Sequence, residues 1–149
     1  MVSFDTNILI YATLSVPLAK THRARDLLVR GMRMGSSILL LQTLAEFSSV
    51  AIRKAGIGVD EVRTTIDAWR AVLRVQGTED DDLSAALDAV KNHQLAFSDA
   101  YLWAAAQRSG VRHLSFFAQV NWLCVNNRSS GTFTTSCADP PHYRPWPPV

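Results

Sequence analysis

Three carboxylates stand out by where they fall in the chain. Asp5 interrupts the apolar opening Phe4-Asp5-Thr6-Asn7-Ile8-Leu9-Ile10-Tyr11, Glu46 follows the run Ile38-Leu39-Leu40-Leu41, and Asp99 follows Leu95-Ala96-Phe97. A carboxylate set among residues that bury must find a partner, because an unpaired buried charge is costly. If the three converge they repel one another, and either protonation or a cation resolves the conflict. Oxygen ligands of this hardness favour Mg²⁺ or Mn²⁺ over softer metals. Such an ion lowers the pKa of a bound water and stabilises charge that builds on a phosphoryl oxygen. Thr6, Asn7 and Ser98 adjoin two of the acids and are expected to orient them, a metal-bound water or a phosphate oxygen. Each acid also has an ordinary explanation. Asp5 would cap a helix over Asn7 to Thr13, Asp99 would cap or open the next helix, and Glu46 would serve the helix dipole from the first turn.

The elements that must position these acids follow from the apolar pattern. Phe4 and the run Ile8 to Tyr11 predict a short buried strand that ends near Asp5 and turns into a helix. From Thr21 to Met34, Ala24, Leu27, Leu28 and Met32 recur at helical spacing among Arg23, Arg25, Arg30 and Arg33, with Gly35 as the stop. Ser37 to Leu41 is a continuous apolar run of the kind buried on both faces of a parallel sheet. Further helices are expected over Thr43 to Lys54, Val59 to Val75 and Asp80 to His93, the last with Leu83, Ala86, Leu87 and Val90 facing inward. Leu95 to Phe97 then reads as a short strand, Asp99 to Arg108 as a helix and Val111 to Leu114 as another strand. Alternation of this kind implies an α/β fold with a mainly parallel sheet covered by helices on both faces. All three acids would then lie just past strand ends, where open parallel sheets bind ligands.

The length of 149 residues suits one domain with a sizeable core, and 48% apolar against 19% charged residues excludes a disordered or fibrous chain. A net charge of +2 permits a polyanionic partner without demanding one. Ten of the fifteen basic residues nevertheless fall between Lys20 and Arg74, and basic residues gathered on one face could steer RNA. The N-terminus lacks a basic, apolar leader pattern and no run reaches the roughly 18–20 apolar residues that span a bilayer, so a cytoplasmic location is expected. Cys124 and Cys137 are isolated and no CxxC occurs, which argues against a zinc site or a disulfide framework. The same carboxylates could serve a phosphatase or another small-molecule phosphoryl enzyme, but no Gly-rich phosphate loop, no nucleophilic Cys with a partner His and no G-x-S-x-G supports one. Four consecutive acids, Glu79 to Asp82, read as the start of a helix rather than as a metal site.

At the residues quoted for the three acids the chain resembles a known family. The opening segment Phe4 to Tyr11, then Leu44-Ala45-Glu46-Phe47, then Phe97-Ser98-Asp99-Ala100 followed by Ala104-Ala105-Ala106 look like the signature segments of PIN-domain ribonucleases, in particular VapC-type toxins of toxin–antitoxin modules. The resemblance spans residues 1–114. It implies a three-layer α/β/α PIN-like domain and a metal-dependent endoribonuclease, with Asp5, Glu46 and Asp99 as both ligands of Mg²⁺ or Mn²⁺ and catalytic groups. It also implies a homodimer, and a cognate antitoxin that fills the active-site groove. Arg23, Arg25, Arg53 and Lys54 are candidate RNA contacts.

The resemblance fails at the C-terminal side. Members of the family usually carry one more acid soon after the strand that here reads Val111 to Leu114, and then a last strand. Here Ser115 to Asn121 contains no acid, and the next after Asp99 is Asp139. Both cysteines and five of the six prolines also lie beyond Ser115. Residues 115–149 are therefore expected to be a divergent, poorly ordered tail, with a shifted reading frame from about Ser115 as one origin and genuine divergence as the other. A lost last strand would expose a sheet edge. The missing acid leaves a second function open: a catalytically inactive PIN-like module that binds RNA or an antitoxin without cleavage.

Overall fold

The computed structural model describes residues 1–14, 19–115 and 122–124. Its elements are β1 (Val2–Phe4), α1 (Thr6–Thr13), α2 (Ala19–Met34), β2 (Ile38–Leu40), α3 (Leu41–Arg53), α4 (Val59–Val72), β3 (Arg74–Gln76), α5 (Asp80–His93), α6 (Phe97–Arg108), β4 (His113–Ser115) and β5 (Trp122–Cys124). β1 pairs with β4 in parallel, with Ser3 opposite Leu114. β2 pairs with β3 in parallel, with Leu39 opposite Val75. A parallel bridge from Val2 to Ser37 joins the two sheets, helped by a 3.0 Å bond from the Val2 amide to the Ser36 carbonyl. The strands thus follow one another as β3, β2, β1, β4 and β5, parallel except for β5, which runs antiparallel to β4.

Alternation along the strands builds the layers. All three residues of β2 are buried, as expected for a strand covered on both faces. Leu39 points into a core with Phe4, Ile8, Leu9, Leu28, Phe47 and Trp69, drawn from β1 and α1 to α4. Ile38 and Leu40 point the other way, into a core with Leu102, Ala105, Val111 and Leu114. α5 completes that second layer through Ala86 and Ala89, which pack on Ala100 and Ala104 of α6. The result is the expected α/β/α arrangement. Large side chains such as Phe4, Leu9, Leu39 and Phe47 are essentially inaccessible, each contributing about 1.5–3 kcal/mol relative to exposure.

The layer above β1 depends on a close approach. A Cβ built at Gly31 of α2 would overlap the Phe4 ring and stand 2.8 Å from Ser37 Oγ. Only glycine lets α2 lie this near the strand that ends at Asp5.

Four local expectations change. Leu95 to Phe97 is not a strand: α5 ends at His93, Gln94 takes the left-handed conformation with φ 54°, and Phe97 already begins α6. The helix expected to run to Val75 stops at Val72, and Arg74–Gln76 form β3 instead. On α5 the inward face is Asp82, Ala86 and Ala89, whereas Leu83 and Leu87 are 42% and 55% exposed. Small residues won those positions because α5 and α6 approach closely. Lastly, β4 is not an open edge at the three residues where β5 pairs with it. The expectations for residues 116–121 and 125–149, including Cys137 and Asp139, lie outside the described residues.

Candidate active site

β1 is the strand at which the sheet order reverses, with β2 on one side and β4 on the other. In open α/β sheets the carboxyl ends of strands at such a switch point form the ligand crevice. Asp5 is the first residue past the end of β1. It is also the N-cap of α1, where its Oδ1 accepts a 2.7 Å hydrogen bond from the Thr6 amide. Its Oδ2 accepts a second, of 3.0 Å, from Asn7 Nδ2. The capping explanation is therefore correct as far as it goes, and the helix it caps begins at Thr6.

A cap alone does not account for the surroundings of Asp5. The side chain is half-buried, and desolvation, reinforced by the negative charge of Glu46, raises its carboxyl above the ordinary value of 3.8 despite the hydrogen bonds from Asn7 and Thr6 that oppose the rise. Among the described residues, none of the groups acting on it is cationic. Glu46 reaches the same place from α3: its Oε2 accepts a 2.7 Å bond from Thr6 Oγ1. Thr6 is buried and bridges the two acids, with its amide on Asp5 and its hydroxyl on Glu46.

Asp99 arrives differently. It is the third residue of α6, which follows α5 and not a strand, so the shared position after three strands holds only for Asp5 and Glu46. It is neither the N-cap, which is Ala96, nor the first helical residue. Glu46 in turn lies beyond the first turn of α3, which holds no acid. Asp99 and Ser98 are exposed. The Ser98 carbonyl accepts a 3.1 Å bond from Gln42 Nε2 in the first turn of α3, which ties the start of α6 to the helix bearing Glu46. Among the described residues no three His, Cys, Asp or Glu side chains are grouped closely enough to hold a metal ion. Two acids are thus assembled, and the third stands on an adjoining turn.

This pair suits a hard divalent cation. One residue, Thr6, donates to both carboxylates, through its amide to Asp5 and its hydroxyl to Glu46; Asp5 is pushed towards its neutral form, and the donor set is all oxygen. Sequence reasoning missed Gln42, because a lone glutamine in an apolar segment carries no signal until its partner 56 residues away is known.

Of the candidate RNA contacts, Arg25 is already committed. Its Nε donates to the Ala12 carbonyl at 2.9 Å and its Nη2 to the Leu14 carbonyl at 2.7 Å, satisfying acceptors at the end of α1. Arg23, Arg53 and Lys54 are exposed. The acidic run at the start of α5 is structural, as expected. Asp82 is buried and binds Arg108 through both oxygens, at 2.8 and 2.9 Å, while it accepts from the Glu79 amide at 2.8 Å.

Comparison with known proteins bears on the whole arrangement. The family model of the PIN domain matches residues 2–117, three residues beyond the expected span. No curated protein matches the chain. Among solved structures, VapC20 of Mycobacterium tuberculosis, described as a sarcin–ricin loop cleaving toxin, superposes with a TM-score of 0.66 at 16% identity, covering 80% of this chain and 92% of that one. FitAcB from Neisseria gonorrhoeae superposes with a TM-score of 0.54 at 15% identity, covering 74% and 84%. At these identities the likeness is one of fold.

Proposed function

The chain belongs to the PIN domain family, and from that premise we propose that it is a metal-dependent endoribonuclease, the toxin of a toxin–antitoxin pair. The observation that carries this reading is the Asp5–Glu46 pair at the switch point of the sheet, where a half-buried carboxylate has an acidic neighbour and, among the described residues, no cationic one. Asp5 and Glu46 would hold Mg²⁺ or Mn²⁺, with Asp99 joining them from α6. When bound, the ion supplies an activated water and stabilises charge on a phosphodiester oxygen. Asn7 holds one oxygen of Asp5, and Thr6 holds both acids in register. Fold likeness to a toxin described as cleaving the sarcin–ricin loop supports structured RNA as the substrate class. The family resemblance supplies the rest of the proposal: a cognate antitoxin, a homodimer and a cytoplasmic location. Among the described residues, no helix is long and apolar enough to cross a membrane.

The test is to incubate the full chain, free of any partner, with structured RNA and Mg²⁺ or Mn²⁺. Cleavage that EDTA and Asp99→Asn both abolish is the expected result. A second reading rests on a specific observation, the lack of any acid between Asp99 and Asp139: the domain would bind RNA or antitoxin without cutting. Folded protein that retains RNA but leaves it intact would establish that reading instead.

A further inference from the structure

For the proposed function Asp99 has to reach the other two acids; Ala100 and Leu102 anchor α6 to α5 and to the sheet, but its first turn lacks a side-chain cap. Its N-cap, Ala96, offers no side-chain hydrogen bond. The residue before the linker, Gln94, is in the left-handed conformation and closes α5 rather than opening α6. The apolar neighbours of the contact do not clamp it either, since Phe97 is 46% and Leu41 52% exposed. What does cross from α3 to this turn is the bond from Gln42 Nε2 to the Ser98 carbonyl, 3.1 Å long.

We propose that Gln42 is a positioning residue, which holds the turn carrying Asp99 against α3 so that Asp99 can join Asp5 and Glu46 on the ion. The inference rests on the proposed function. Its geometry is simple: Gln42 and Glu46 are four residues apart in α3, so they share one face of that helix, about 6 Å apart along its axis. Ser98 immediately precedes Asp99. One carboxamide therefore links the two acid-bearing turns. Its Oε1 is buried and meets no donor among the described residues, so the hydrogen bond seen on this side chain is the one to Ser98. Removing the donor should release the turn without disturbing the core, because Thr43, Leu44 and Phe47 anchor α3 independently.

The experiment compares Mn²⁺ affinity, by calorimetry on the full chain, for the wild type, Asp5→Asn, Gln42→Met, Asp99→Asn and the Gln42→Met, Asp99→Asn double variant. Methionine keeps the length and loses the donor. Gln42→Met is expected to weaken Mn²⁺ binding by about tenfold, the lower end of what supporting groups contribute. In the Asp99→Asn background the same change should have little effect, because a positioning residue acts only through what it positions. Hydrogen exchange at amides 97–101 should quicken in Gln42→Met while that of α4 stays unchanged. Unaltered Mn²⁺ affinity, or equal losses in both backgrounds, would overturn the inference even if exchange quickens. A wild type that binds no Mn²⁺ would instead overturn the proposed function itself. Binding that Asp5→Asn abolishes and Gln42→Met leaves intact would sink only the role of Gln42.

Discussion

Asp82 and Asp5 both sit at the start of a helix with a nearby glutamate, yet the protein treats them in opposite ways. At Asp82 burial by itself would raise the carboxyl, but the bidentate contact with Arg108 and the Glu79 amide together hold it below its ordinary value. Arg108 also reaches Glu79 at 2.6 Å and the Gly77 carbonyl at 2.7 Å, so both acids are neutralised from within. At Asp5 partial burial is met, among the described residues, by neutral donors alone, and the neighbouring Glu46 adds repulsion, so the carboxyl rises. The first acid has an internal counterion and joins α5 to the far end of α6. The second has no such counterion among the described residues, and the proposed function gives it a cation from solution. Electrostatic environment, rather than residue type or position in a helix, separates the structural acid from the proposed metal ligand.

The largest effect that would break or sharpen this contrast is on catalysis. Asp5→Asn removes a proposed ligand and should lower RNA cleavage by more than the ~10–100-fold typical of supporting groups. Asp82→Asn should leave the rate of folded protein nearly unchanged, and comparable losses in both variants would erase the distinction. Next is stability. Arg108→Leu strands a buried carboxylate, so the Tm should fall by several degrees, while metal affinity stays that of the wild type. Adding Asp82→Leu should recover much of the loss, since an apolar pair often replaces a buried ion pair without penalty.

A smaller effect, of opposite sign, is expected at Asp5. In metal-free protein at neutral pH, Asp5→Asn should raise the Tm by a few degrees, because asparagine still caps α1 and carries no charge to desolvate. The smallest effects are in pH dependence. Asp82 has a native carboxyl below 3.8, so its contribution is complete above that value and is lost as pH falls below it. Asp5 has a native carboxyl above 3.8, so the folded state binds the extra proton and stability falls as pH rises between 3.8 and the native value. Unfolding curves across acid pH should accordingly lose part of their steep low-pH limb in Asp82→Asn. In Asp5→Asn they should lose a decline at somewhat higher pH.

Much of the fold was legible because its signals are local. The run Ile38 to Leu40 is apolar throughout since both its faces are covered, and α2 and α4 show helical periodicity over several turns. β3 was hidden because Arg74 and Gln76 are polar and partly exposed, and the amphipathic pattern of α4 runs into it unbroken. Leu95 to Phe97 misled because an apolar triplet can open a helix as well as form a strand. On α5 the rule that leucine is buried and aspartate exposed fails at Leu83 and Asp82, since the partner that reverses it, Arg108, lies 26 residues away. In the site, Asp5 was readable from its intrusion into an apolar segment. The link through Thr6 to Glu46 and the Gln42 tie are tertiary facts that no local pattern encodes.

The central claim is that the Asp5–Glu46 pair, unlike the Asp82–Glu79 pair, takes its counterion from solution. Calorimetric titration of Mg²⁺ into the metal-free full chain, alongside Asp5→Asn and Asp82→Asn, tests it most directly. The account predicts saturable binding by the wild type and by Asp82→Asn, and none by Asp5→Asn. Equal binding by all three proteins, or none by the wild type, would contradict it.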